Sequence, residues 1–509
     1  MKHTGILLSL LILAGLLLSG SSAQAQLMNH YWSVNFNSQS SLLSGAVVAG
    51  DGGNTSMYYN PATISDMEKG SNLSFSTSLL TWNVSLFTNA LGNNTDIINI
   101  SFNVQPQFLS FSSRPHKSKF AYAFTTLVRM KDKIDISYYN STEIDIIKST
   151  PGPENYNVAY KYFLEYNDNW VGMASSYDVN DRFRIGASLF VSVAYVSYKN
   201  SLNLYAFSTK DTLWVDNVPN PSLVSKAIYS NDFKFVDYRL ILKLGFSYVL
   251  ENWKFGLNFT SGSFSLFSTK KEARRVEEVA NITNEANNEF MPGYVITNGQ
   301  ILIDITTRIK YPFSISYGLI HRLKNSHNKI YFTMEYFHGI QPYKMISAPI
   351  KDDITSDIVY DNLENKDWLS VANTAKPVLN IAVGYRWVLK ENIMFLNGFR
   401  TDFNNISGAD YKNLASYNTI NTNNINIYHY TSGFQFFFLK KYLLIIGGEL
   451  SYGREKNQQQ LANFSDPVEY DPSTNTILQG TIQNNMDVYS LGFNIYFGLS
   501  FKFGEKNKD

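Results

Sequence analysis

General acid–base or nucleophilic catalysis needs a base and a nucleophile brought together, and His321, His327, His338 and His429 are the obvious bases in this chain. They are scattered, and none stands in a recognisable Ser/His/Asp setting, so each reads as a structural histidine. Asp352 and Asp353 are adjacent carboxylates in a polar stretch, where solvation explains them without a metal. Cysteine is absent, which excludes disulfides, thiolate metal sites, cysteine nucleophiles and a lipid-modified N-terminal cysteine. Gly50-Asp51-Gly52-Gly53 is not a phosphate loop, because no strand precedes it and no Gly-Lys-Ser/Thr follows; it reads as a turn. No catalytic, cofactor-binding or metal-binding residue is assigned. The expectation is a protein that is not an enzyme and carries no cofactor.

What the sequence does carry is alternation. From Tyr489 to Phe503 every second residue is large and apolar: Tyr489, Leu491, Phe493, Ile495, Phe497, Leu499, Phe501 and Phe503. Between them stand Ser490, Gly492, Asn494, Tyr496, Gly498, Ser500 and Lys502. Period two puts the two sets on opposite faces of a strand. The apolar face is too long and too aromatic for a half-buried edge strand, and suits a strand crossing a bilayer with small polar residues inside. Trp253 to Thr260, Leu379 to Leu389 and Ile185 to Tyr195 show the same two faces.

About fourteen such strands are expected, at 73–87, 100–113, 118–138, 158–178, 182–200, 233–250, 252–268, 303–322, 327–345, 375–389, 391–405, 424–439, 441–454 and 486–504. Their connections alternate between short turns, as at Arg114–Lys117, and long polar loops, at 88–99, 139–157, 201–232, 269–302, 346–374, 406–423 and 455–485. Short turns on one side and long loops on the other are the pattern of bacterial outer-membrane barrels. The fold class expected is all-β: a transmembrane antiparallel β-barrel over residues 71–504, with a polar tail at 505–509. One loop stands apart. Lys270 to Phe290 is rich in helix formers, and is expected as a solvated helix, a disordered charged loop or a surface helix flanking a receptor groove. Arg386 and Arg400 face the lumen or an interface, to pair with a neighbouring carboxylate or with a ligand's carboxylate.

The address agrees with a barrel. Lys2 and His3, the apolar run Ile6 to Leu18 and Ala23-Gln24-Ala25 form the three parts of a secretory signal over residues 1–25, with the mature chain starting at Gln26. No later stretch reaches the roughly eighteen apolar residues of a spanning helix. The formal net charge is +1, which implies no nucleic-acid partner. Tyr and Phe number 34 and 35, high for a soluble protein. The expected location is the outer membrane of a Gram-negative bacterium, as a monomer in contact with outer-membrane lipids.

Residues 26–70 lack sustained alternation and are expected to fold inside the barrel as a hatch, anchored by Trp32, Val34, Phe36, Leu42, Leu43, Val47 and Val48. Within it, Asn60 is a strong N-cap and Pro61 suits a first helical position, so Asn60-Pro61-Ala62 should open a short helix. Met57, Tyr58, Tyr59 and Ile64 are groups suited to an apolar chain, and also to packing a plug against a wall.

The stretch Ser44-Gly45-Ala46-Val47-Val48-Ala49-Gly50-Asp51, followed by Asn54 to Ala62 with its Asn-Pro-Ala motif, resembles the hatch of the FadL/OmpP1/TodX family of outer-membrane transporters for long-chain fatty acids and other hydrophobic compounds. Gln105-Pro106 in the second strand fits the same pattern. The resemblance implies a passive channel whose ligand, a fatty acid or similar hydrophobic molecule, is captured between extracellular loops. It then passes a pocket inside the barrel and leaves sideways at a kink in strand three. Here strand three has no Gly or Pro before Tyr138, so a kink must come from a bulge or be absent. Two other roles share parts of this pattern: a general porin, and a PorV-like docking protein of a secretion system.

Overall fold

The computed structural model describes residues 30–32, 38–147, 152–209, 212–215, 218–221, 224–282, 295–324, 326–349, 369–406, 424–438, 442–471 and 476–503. The signal segment, Val34, Phe36, Asp352, Asp353 and the C-terminal tail lie outside the described residues.

Apart from two short hairpins, Thr212–Val215 with Val218–Pro221 and Val468–Asp471 with Thr476–Gln479, the strands in chain order are β1 Gly70–Thr88, β2 Ile97–Arg114, β3 Phe120–Ile144, β4 Glu154–Asp178, β5 Phe183–Ser208, β6 Val224–Leu250, β7 Trp253–Thr260 and β8 Phe264–Ala280. There follow β9 Val295–Ile303, β10 Thr306–Thr307, β11 Ser314–Arg322, β12 Lys329–Phe337, β13 Ile340–Ser347 and β14 Val371–Ala375. The chain then completes the wall with β15 Val378–Lys390, β16 Ile393–Asp402, β17 Ile427–Phe438, β18 Tyr442–Gln458 and β19 Met486–Phe503. Fourteen of these, β1–β7, β11, β12 and β15–β19, close into one antiparallel barrel, sealed by β1 against β19. β8 and β9 continue the wall beyond β7, β8 paired to the far half of β6 and β9 to β8. The small sheet β10-β13-β14 stands apart from the wall ladder.

Alternation decides which side of the wall each residue meets. Leu73, Phe75, Leu109, Phe124, Val171 and Phe246 point outward, each at least 40% exposed. Their partners along the strands, such as Ser74, Ser110, Ala123 and Ser188, are buried inside. A continuous apolar exterior on this scale has no place in water and matches a lipid-facing belt. On β3 the outer face changes from Phe120, Tyr122 and Phe124 to Lys131, Lys133 and Asp135, which marks the upper edge of the belt there.

The strands run longer than the sequence pattern predicts. Residues 139–144, 154–157, 201–208 and 224–232, expected in loops, are strand. Above the belt neither face must be apolar, so the period-two signal fades while backbone pairing continues. The charged run from Lys270 is also strand, not helix or loop, as far as Ala280. Its charges pair across strands: Lys234 with Glu272 and Lys226 with Glu278, each at 2.6 Å. Val276 and Val279 therefore fall on opposite faces, and cross-strand partners override helix propensity. Residues 283–290 lie outside the described part. The expected strands 252–268 and 303–322 are each interrupted, at 261–263 and 304–313, and the expected strand 327–345 divides at His338–Gly339.

Candidate functional site

The hatch is built from short turns. A helix at Ser38–Leu42 is followed by a reversal at 50–53, where Gly50, Asp51 and Gly53 take positive φ. Then come a 3-10 turn Gly53–Thr55, a helical turn Ser56–Tyr59 and a 3-10 helix Pro61–Asp66. Asn60 caps the last as expected: its Oδ1 accepts from Ala62 N at 3.1 Å, and Pro61 opens the helix. Its amide does more. Asn60 Nδ2 donates to Val48 O at 2.8 Å within the hatch and to Phe246 O at 2.9 Å on the wall. The motif thus joins two hatch segments to β6, a role that the helix signal alone does not reveal. Asn60→Ala removes the cap and leaves two buried carbonyls short of a donor. The expected loss is about 3 kcal/mol of hatch stability, read as faster hydrogen exchange in residues 48–64 while the barrel amides stay protected.

The wall receives the hatch through glycines. A Cβ on Gly256 would lie 2.2 Å from Val48 O, one on Gly318 2.5 Å from Ala49 N, and one on Gly186 2.5 Å from Ala62 N. At Gly245 it would lie 2.1 Å from Asn60 Oδ1, and at Gly398 2.7 Å from the Leu43 carbonyl carbon. The hatch main chain therefore lies directly on the sheet, at the small residues that alternation puts on the inner face. Leu42, Leu43, Val47 and Val48 are buried there, each burial worth about 1.5–3 kcal/mol.

Two carboxylates clamp the hatch. Asp51 meets Lys329 Nζ at 2.6 Å, the Tyr331 hydroxyl at 2.7 Å and Arg386 at 3.4 Å. Asp66 pairs with Arg184 and Lys254. Burial alone would raise the Asp51 carboxyl, but Lys329 and Arg386 outweigh it and hold it well below the usual carboxylate range. This stabilisation is present above the ordinary carboxylate value and is lost only as pH falls through the depressed one, so the Asp51 contact survives mild acid.

Higher in the lumen, residues 30–32 form a strap. Trp32 N and Nε1 donate to Asp402 Oδ1 at 3.0 Å and Glu335 Oε2 at 2.8 Å; Arg400 Nε donates to Trp32 O at 3.1 Å. Arg400 also pairs with Glu449 at 2.8 Å, and His429 lies 2.9 Å from the same carboxylate. Both arginines singled out in the sequence thus face inward and pair with protein carboxylates.

Between strap and hatch sits an aromatic centre. Tyr58, Trp170 and Tyr311 surround the Arg129 guanidinium, 5.6–6.0 Å from the three ring centres. Arg129 Nη2 donates to Tyr31 O at 2.5 Å and to the Tyr311 hydroxyl at 3.2 Å. Lys243 Nζ lies 4.3 Å from the Tyr58 ring centre. Arg129 and Lys243 are 2% and 4% exposed. Among the described residues no carboxylate lies within ion-pair distance of either, and Arg129 Nε and Trp170 Nε1 have no acceptor. Of the sequence candidates, Met57, Tyr58 and Ile64 pack here with Phe108, Leu127, Phe190 and Ile241; Tyr59 lies between this cluster and the lower hatch core. Alternation from Ala121, Ala123, Thr125 and Leu127 already puts Arg129 on the inner face, and the bulge between Val128 and Met130 brings Met130 inward beside it. The Arg in an otherwise two-faced strand was the available signal.

No family model matches this sequence, and neither does any curated protein. Solved structures do. The toluene transporter TodX of P. putida is similar over 93% of this chain and 99% of its own, with a TM-score of 0.54 at 12% identity. A FadL homologue of Pseudomonas aeruginosa is similar over 93% and 100%, with a TM-score of 0.53 at 10% identity. The fold is that of the FadL-type channels. Within this FadL-type barrel β3 carries no Gly or Pro kink but does carry the Val128–Met130 bulge. There it parts from its neighbour: β2 pairs with β3 only over Phe108–Ser113. Above that seam Ile98, Ile100, Phe102 and Val104 are each more than 60% exposed.

Proposed function

We propose that this protein is a passive outer-membrane channel for hydrophobic compounds, and that its preferred ligands carry an anionic head, as long-chain fatty acids do. The observation that carries the head-group reading is the lumen centre: two buried cations and two buried donors without acceptors, ringed by Tyr58, Trp170 and Tyr311. Unpaired buried charge is costly, and a carboxylate placed among these donors offsets that cost while its chain replaces water against aromatic rings. Each methylene so buried is worth about 0.8 kcal/mol. The lipid belt, the hatch and the fold shared with toluene and FadL-type channels support the transport reading. Diffusion follows the ligand's gradient. The β2–β3 seam is a sideways exit toward lipid, beside Arg129. Met57, Tyr58, Tyr59 and Ile64 line the route where it meets the hatch.

Uptake of a labelled fatty acid by cells with and without the protein tests this, with a small sugar as control. Faster fatty-acid uptake at unchanged sugar uptake is expected. Altered sugar uptake alone would mean a porin. No change in either, with loss of surface-protein export, would mean a docking protein.

A further inference from the structure

The wall is interrupted a second time, away from the β2–β3 seam. β7 pairs with β11 up to Thr260 and Ser314, and β8 pairs with β9 only from Glu272 and Ile303 onward. Between those points no ladder joins residues 261–271 to residues 304–313. The break lies within the lipid belt, because Phe264 and Phe267 pair with Leu240 and Tyr238, next to the outward-facing Leu242 and Leu244. Phe264, Leu266 and Phe267 beside it are each more than 50% exposed.

Residues 304–313 cross the break without a continuous ladder, with alternate residues turned inward. Ile305, Ile309 and Tyr311 are buried in the lumen. Scattered bonds hold them to the wall: at one end Asp304 N donates to Lys271 O at 2.9 Å and Lys271 Nζ pairs with Asp304 Oδ1 at 2.7 Å. Ser263 N donates to Tyr311 O at 3.0 Å, and Tyr311 N to Ser263 Oγ at 2.8 Å. Ser268 Oγ donates to Thr307 O at 3.0 Å, and Ile309 N to Asp237 Oδ2 at 3.1 Å. On its inner side the segment ends at Tyr311, edge-on to Trp170 at 5.8 Å and bonded to Arg129. One short segment therefore has lipid-level wall on one side and the aromatic centre on the other.

We propose that this break is a second lateral portal, and that residues 304–313 are its door, connecting the aromatic centre with the outer part of the bilayer for amphiphiles with an apolar chain. The portal builds on the channel reading but is a separate opening. A ligand displacing Tyr311 loosens the door at the point where it bonds Arg129. Local segments held by scattered bonds open more readily than continuous ladder.

The chain has no cysteine, so engineered thiols report cleanly. Ser268→Cys with Thr307→Cys locks the door to the wall. Asn99→Cys with Asp135→Cys, where Asp135 N lies 3.4 Å from Asn99 Oδ1, locks the β2–β3 seam instead. In proteoliposomes loaded with a fluorescent fatty acid, the oxidised 268–307 lock should slow transfer by about tenfold, with recovery on reduction. Slowing by the 99–135 lock alone would overturn the portal and leave the channel reading standing. A second measurement does not need transport. Ile309→Cys should react with a lipid-soluble maleimide in the bilayer, and at least about fivefold more slowly once 268 and 307 are locked. No reaction at position 309, or a rate indifferent to the lock, would overturn the portal even if the protein moved no fatty acid.

Discussion

Gly256→Val lifts the hatch off the wall and raises single-channel conductance in planar bilayers toward that of a variant lacking residues 26–70. The Cβ alone would sit 2.2 Å from Val48 O and 2.6 Å from Ala49 Cα, both backbone atoms that no rotamer change can move. Overpacking of this kind costs about 1–3 kcal/mol or more, and the hatch can relieve it by leaving, whereas β7 is fixed by ladders to β6 and β11. A lumen closed by fourteen strands is wide once emptied. Gly299→Val is the control, because nothing lies within 4 Å of a Cβ there. Equal conductance for Gly256→Val, the hatch deletion and the intact protein would mean that the hatch does not control the pore.

Lys243→Met separates the head-group reading from simple packing. Methionine keeps the stem's volume and removes the charge beside Tyr58. Loss of a charged hydrogen-bond donor is worth about 1.5–3 kcal/mol, so affinity for a long-chain fatty acid should fall roughly ten- to a hundredfold. A neutral hydrocarbon of similar length should bind as well or better, since a buried cation no longer opposes it. Displacement of a fluorescent fatty acid from the purified protein measures both. Equal loss for acid and hydrocarbon would make Lys243 a structural residue that shapes the pocket without contacting a head group.

The wall was legible because a lipid belt forces strict alternation: Tyr489 to Phe503 could only be a two-faced strand, and it is β19. The Asn60-Pro61 start was legible because capping is local chemistry. Legibility faded above the belt, where Lys270 to Ala280 pairs through backbone and cross-strand charge, and where Ser201 to Ser208 keeps only a short apolar inner row, Leu202, Leu204 and Ala206. The site lay further beyond reach. Arg129, Trp170, Lys243 and Tyr311 come from four separate strands or segments, and only barrel closure and the inward turn of Tyr311 bring them together. The wall glycines were visible as small inner-face residues, but what they make room for is a tertiary fact.

The most direct measurement is the content of the lumen in protein purified from native membranes. Organic extraction with mass spectrometry, paired with a structure of the same preparation, should show an elongated apolar molecule with its polar head within hydrogen-bond distance of Arg129 or Lys243. A lumen holding only water, in a protein that conducts small sugars freely, would contradict the account.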